Sequence, residues 1–126
     1  MQYILTHIYL FLAISFGVVS QLIIKWKMSE FSFYNYPTWQ EKLLLAFSML
    51  FNPFIIIALL FTLFAGIFWM IAMTKFEISY AYPIATLGIV LVTIFSVIFF
   101  GESFNYYKFF GISLIILGII IVSKSF

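Results

Sequence analysis

The sequence predicts an all-α membrane protein, a bundle of four transmembrane helices, and three observations carry that prediction. Four uncharged apolar runs fill most of the 126 residues. Hydrophobic residues make up 66% of the chain and charged residues 8%, with a mean hydropathy of +1.22. A soluble domain of this size would lack the polar surface needed to cover itself. Most links between the runs are very short, so successive helices must lie side by side and antiparallel.

The first run, Tyr3 to Ile24, holds 22 residues without a formal charge, which predicts a span over about 3–24. A helix rises about 1.5 Å per residue, so about 20 apolar residues cross a hydrocarbon layer of about 30 Å. This run is too long for a signal-peptide core, lacks a basic leading region and shows no small-residue cleavage pattern. It is expected to remain as a transmembrane helix. The next run, Leu43 to Thr74, has 32 residues, more than one span needs. Asn52-Pro53 divides it, because proline suits the first turn of a helix, where its missing N–H is not required. An interfacial segment is therefore predicted over about 38–50 and the second span over about 53–74. The third span covers about 78–100. The fourth, Phe109 to Ser123, has only 15 uncharged residues and reaches span length over about 105–123 by letting Lys108 snorkel to the interface. The whole chain, 1–126, reads as one four-helix transmembrane domain.

The segment Lys25 to Lys42 holds five of the ten charges, and its Tyr34, Tyr36, Pro37 and Trp39 suit a turn at headgroup level. Four spans put both termini on one membrane side, together with Lys75, Glu77 and Lys124. The other side receives Lys25, Lys27, Lys42 and Lys108, and this excess of lysine predicts that the 25–42 loop is cytoplasmic.

Composition excludes several function classes. The charge is six lysines against four glutamates, with no Arg or Asp, so there is no basic footprint for nucleic acid. The absence of Cys excludes disulfides, thiol nucleophiles and Cys-ligated metals. One His and four scattered Glu form no metal-ligand pattern, and no nucleophile–base pair or phosphate-cradling glycine loop is present. No catalytic residue, metal or cofactor is expected, and the chain does not read as an enzyme.

Polar and small residues within the spans mark packing seams or cavities, because polar groups cost free energy in hydrocarbon. Ala13, Gly17, Gln21 and Lys25 recur every four residues on one face of the first span, with Ser20 beside them. That face suits a close-packed seam or a cavity wall; the Gln21 amide, with four hydrogen-bonding positions, favours the cavity. The second span carries Thr62, Gly66, Trp69 and Met73 on a similar stripe, where Trp69 would pack or anchor at the interface rather than bind a ligand. In the third span, Pro83 cannot donate to the Ser79 carbonyl, which makes it a predicted helix break. Thr86 and Thr93 continue the face of Tyr82, with bonding back to their own helix as the alternative. Gly111 and Gly118, seven residues apart, suit a helix seam and a candidate subunit interface. Glu102 falls on the same membrane side as Lys25, so these two are a candidate ion pair; capping of the following helix by Glu102 is the alternative. His7, the sole histidine, is expected at the interface rather than in a proton relay.

Taken in order, Trp69-Met-Ile-Ala-Met, Ile78-Ser-Tyr-Ala-Tyr-Pro-Ile84, Gly101-Glu102 and Gly111-Ile-Ser-Leu-Ile-Ile-Leu-Gly118 resemble the drug/metabolite transporter superfamily. With Ser20-Gln21-Leu22 through Lys25, the resemblance spans nearly the whole chain and points to the four-helix, EamA-like and small-multidrug-resistance-like branch. It is strongest to the small subunits that flip aminoarabinose-phosphoundecaprenol. One departure is informative: small multidrug exporters carry a membrane-embedded Glu in the first helix, and that position falls at Gly17 here. No other carboxylate lies within a span, so proton-coupled cation antiport has no coupling group.

The resemblance implies a transporter that flips a polyprenyl-phosphate-linked (amino)sugar across the bacterial inner membrane. The undecaprenyl tail would stay in the bilayer while phosphate and sugar cross in a groove open sideways to lipid. It implies that Gln21, Ser20, Tyr82, Thr86 and Trp69 line that groove and that Lys25 meets the phosphate as a point charge. The implied partners are membrane lipid, the lipid-linked sugar, and a second subunit in a homodimer or a heterodimer with a similar small chain. The alternatives are a small-molecule or multidrug exporter and a non-transporting accessory subunit of a membrane complex.

Overall fold

Helix boundaries follow from capping groups that the sequence supplies in the right places. The computed structural model describes residues 2–125, and among them the helices are α1 (Gln2–Met28), α2 (Trp39–Met49), α3 (Pro53–Ala72), α4 (Ile78–Ala85), α5 (Leu87–Phe100) and α6 (Tyr106–Ser123). Asn52 accepts a hydrogen bond from the Phe54 amide at 2.9 Å, and Pro53 occupies the first turn of α3. Thr38 caps α2 through the Glu41 amide at 3.2 Å, and Asn105 caps α6 through the Lys108 amide at 2.9 Å. Asn105, not Glu102, therefore caps α6. Gly101 ends α5 in the left-handed conformation, φ +66°, which glycine adopts without a Cβ penalty. The Lys108 ammonium turns back to donate to the Ser103 carbonyl at 2.7 Å, which carries its charge toward the end of the helix.

Four helical stretches are long and apolar enough to cross a membrane: Ile4–Met28, Pro53–Ala72, Ile78–Phe100 and Tyr106–Ser123. The third combines α4 and α5, which meet at Thr86. The break falls three residues beyond Pro83 rather than at Ser79, where the proline's missing N–H leaves a carbonyl. At Thr86 the backbone amide is shared between the Tyr82 and Pro83 carbonyls, and the hydroxyl also donates to Pro83. Such back-bonding loosens the helix beside a proline.

Helix α1 is the common partner, packing along α3 and against α5, while α6 packs mainly on α4 and α5. Along α1 and α3, Phe16 meets Phe61, Phe64 and Phe68 at 5.4, 5.9 and 5.6 Å between ring centroids, and Trp26 meets Phe54 edge-on at 5.2 Å. The buried core joins Leu10, Ile14 and Val18 of α1 to Ala72, Phe76, Tyr80, Ala81 and Ile84. Gly88 lies where α5 meets α1: a Cβ there would stand in ordinary van der Waals contact, 3.6 Å from Ile14 and 3.7 Å from Val18. Most other apolar side chains face outward, and α6 buries no residue, as expected where lipid is the solvent.

His7, near the start of α1, is enclosed by protein. Only 7% of it is exposed; Nε2 lies 3.0 Å from the Tyr80 hydroxyl and the ring meets Phe76 edge-on at 4.7 Å. The start of α1 packs against the link between α3 and α4, and this encloses the ring in protein.

Candidate functional site

Because α1 holds both α3 and α5, the two outer helices leave a groove between them with α1 as its floor. Its volume is about 680 Å³. Ala13, Gly17 and Gln21 come from α1, Thr62, Gly66 and Trp69 from α3, and Tyr82, Gly88 and Thr93 from α4 and α5. The wall is largely apolar, and none of its residues carries a formal charge. Gly17 and Gly66 widen it: a Cβ at either position would meet nothing within 4 Å. One end is closed by Trp69 and Tyr82, whose rings meet edge-on at 5.2 Å. Gln21 lies toward the other end, one turn below Lys25 on the same face of α1.

Gln21 and Tyr82 are among the polar groups that this groove offers a ligand. Both are exposed, and among the described residues neither the Gln21 amide nor the Tyr82 hydroxyl has a hydrogen-bond partner. In hydrocarbon such groups demand partners, from a ligand, water or another chain. Thr93 also faces the groove, but its hydroxyl donates to the Ile89 carbonyl at 2.8 Å.

Two residues expected in the groove lie outside its lining. Ser20 is 1% exposed and donates to the Ala58 carbonyl at 2.8 Å, with Thr62 beside it donating to the same carbonyl at 3.1 Å. The Ser20 and Thr62 hydroxyls also touch each other, so three close contacts share two protons. Ser20 thus faces the α1–α3 seam, because its position is rotated by one residue from the Gln21 face. Thr86 donates its hydroxyl to the Pro83 carbonyl, the back-bonding alternative read from the sequence.

Lys25 stands beyond the groove's end, 3.7 Å from Glu102 across the space between α1 and the turn after α5. Both side chains are partly exposed, 53% and 38%. A second crevice of about 380 Å³ lies between α5 and α6, lined by Ser96, Glu102, Lys108 and Gly111 among others. Gly111 and Gly118 are both exposed on α6. Ala65, Ala85 and Gly88 line the groove and were not singled out by sequence reasoning. Their signal was the three- and four-residue spacing of small residues, Thr62-Ala65-Gly66-Trp69 and Ala85-Gly88, which repeats the stripe already visible in α1.

A groove between spanning helices with a mostly apolar wall and a few polar groups is the form of a carrier site. Comparison with known proteins agrees. Over 85 residues the chain is 28% identical to the probable 4-amino-4-deoxy-L-arabinose-phosphoundecaprenol flippase subunit ArnE of Aeromonas salmonicida (strain A449), covering 68% of this chain and 75% of that protein. No solved structure gives a significant match. The model of the EamA-like transporter family matches residues 2–124, and the chain belongs to that family of multi-pass membrane transporters.

Proposed function

We propose that this chain flips a polyprenyl-phosphate-linked aminosugar across the bacterial inner membrane as a dimer whose second small subunit is another copy of the same chain. The observation that carries the reading is the uncharged groove, whose unpartnered Gln21 amide and Tyr82 hydroxyl lie between α3 and α5. The tail of a lipid-linked sugar stays in the bilayer, so the carrier must pass only a hydroxyl-rich headgroup and a phosphate. Gln21 and Tyr82 supply hydrogen bonds for the sugar, and the exposed faces of Trp69 and Tyr82 suit the apolar side of a sugar ring. Lys25, one turn beyond Gln21, supplies the cation for the phosphate. No carboxylate lines the groove, so proton coupling through it has no group to use. Downhill movement drawn by consumption on the far side fits that lining. The likeness to a probable aminoarabinose-phosphoundecaprenol flippase subunit supports the substrate class. The exposed face of α6, with Gly111 and Gly118, is the surface proposed for the second subunit.

The test is a set of alanine substitutions at Gln21, Lys25 and Tyr82, assayed for movement of a tagged lipid-linked sugar in vesicles. Loss in all three is expected; unchanged movement in all three would sink the site. A second reading, export of small apolar solutes, draws on the groove's apolar wall. It predicts saturable binding of such solutes that polyprenyl phosphates do not displace.

A further inference from the structure

We infer that Glu102 is a built-in counter-anion for Lys25, which the phosphate of an arriving substrate displaces. The inference rests on the proposed function and assigns Glu102 a role in that same site. Lys25 shares the Gln21 face of α1, and Glu102 stands 3.7 Å away as its partner. That separation exceeds a direct charge-assisted hydrogen bond, which runs to about 2.9 Å. Both groups remain partly exposed. Such loose pairs contribute little stability and exchange readily.

The position of Glu102 is unfavourable for a carboxylate taken alone. It follows the C-terminus of α5, the negative end of that helix dipole, and Asn105 already caps α6. Gly101, held at φ +66°, turns the chain so that Glu102 nonetheless meets α1. What it gains there is Lys25, and what Lys25 gains is neutralisation while no headgroup is bound. A phosphate ester offers Lys25 shorter, stronger hydrogen bonds than this carboxylate does. The displaced carboxylate has a second lysine at hand, since Glu102 and Lys108 line the same crevice between α5 and α6. Glu102 is thus a competitor for the cation, acting on affinity through Lys25 without touching substrate.

The experiment measures binding of farnesyl phosphate, a short polyprenyl phosphate, to the full chain in lipid nanodiscs. Four proteins are compared: wild type, Lys25→Gln, Glu102→Gln, and the double variant. Glu102→Gln should bind about two- to fivefold more tightly than wild type, the range set by removing a partly exposed ion-pair competitor. In the Lys25→Gln background the same change should alter affinity less than about twofold, because the competition has lost its object. Equal or weaker binding by Glu102→Gln would overturn the inference. So would equal tightening in both backgrounds, which would mean simple repulsion between Glu102 and phosphate. Wild type that fails to bind, or a Lys25→Gln variant that binds as wild type does, would overturn the phosphate role of Lys25 and the inference with it. Glu102 is partly exposed and ends no helix, so its amide variant should keep wild-type helicity by circular dichroism, and a folded control accompanies each reading.

Discussion

Ser20 separates a structural hydroxyl from a substrate-binding one, and a double-mutant cycle with Thr62 tests which it is. Ser20 is 1% exposed and donates across the α1–α3 seam to the Ala58 carbonyl at 2.8 Å, while Thr62 reaches that carbonyl from its own helix at 3.1 Å. Ser20→Ala leaves the carbonyl the Thr62 hydroxyl and its helical amide donor, so no buried acceptor is orphaned and only the interhelical bonding of Ser20 is lost. Such bonds in membranes average about 0.6 kcal/mol and reach about 1.7 kcal/mol, because the reference state finds partners too. The unfolding equilibrium should therefore shift by about threefold to about sixteenfold. Thr62→Val on its own should cost about as much. The double variant loses the contact between the two hydroxyls once where the singles each lose it, and the carbonyl keeps its helical amide donor, so it should cost less than the sum of the singles. The assay is unfolding in mixed micelles of rising SDS fraction, followed by tryptophan fluorescence. Headgroup movement by folded Ser20→Ala protein should match wild type. Strict additivity, or lost transport with unchanged stability, would refute the assignment of Ser20 to the seam.

The other expectations concern the groove wall and the loop. At Gly88 a Cβ already reaches van der Waals contact with Ile14 and Val18 at 3.6 and 3.7 Å, so the outer atoms of a leucine press on a filled seam, whereas at Gly17 they enter open space. Gly88→Leu should cost about 1–3 kcal/mol by overpacking, and Gly17→Leu should leave stability near wild type in the same micelle titration. Tyr82→Phe keeps the edge-on contact with Trp69, so it should impair transport alone; Tyr82→Ala should also lose about 0.5–1.5 kcal/mol of stability and shift Trp69 emission. Helix α2 exposes Trp39, Leu44 and Phe47, and it is expected to lie at headgroup depth. In a variant with Trp39 as sole tryptophan, brominated lipids labelled near the headgroup should quench it more than those labelled near the chain end.

The fold class was legible because hydrophobic length and capping residues are local signals. Asn52-Pro53 and Asn105 announce helix starts through their own side chains and need no tertiary information. The face of α1 was legible as well, since Gly17 and Gln21 share it at four-residue spacing and both line the groove. What stayed hidden depends on neighbours. Ser20 and Gln21 are adjacent in sequence, yet one faces the α3 seam and the other the groove, a distinction fixed only once α3 and α5 pack on α1. The burial of His7 likewise depends on Phe76 and Tyr80, about 70 residues away in the chain. The break at Thr86 rather than Ser79 arises from a side-chain bond added to the effect of Pro83.

The most direct test of the groove as the headgroup path is transbilayer movement of an amino-tagged undecaprenyl-phosphate sugar in vesicles holding this chain alone. Wild type should carry the tagged headgroup to the opposite leaflet well above protein-free vesicles, and folded Gly17→Leu, its side chain filling the open space over α1, should return the signal to the protein-free level. Wild type at the protein-free level, or Gly17→Leu as active as wild type, would contradict the account.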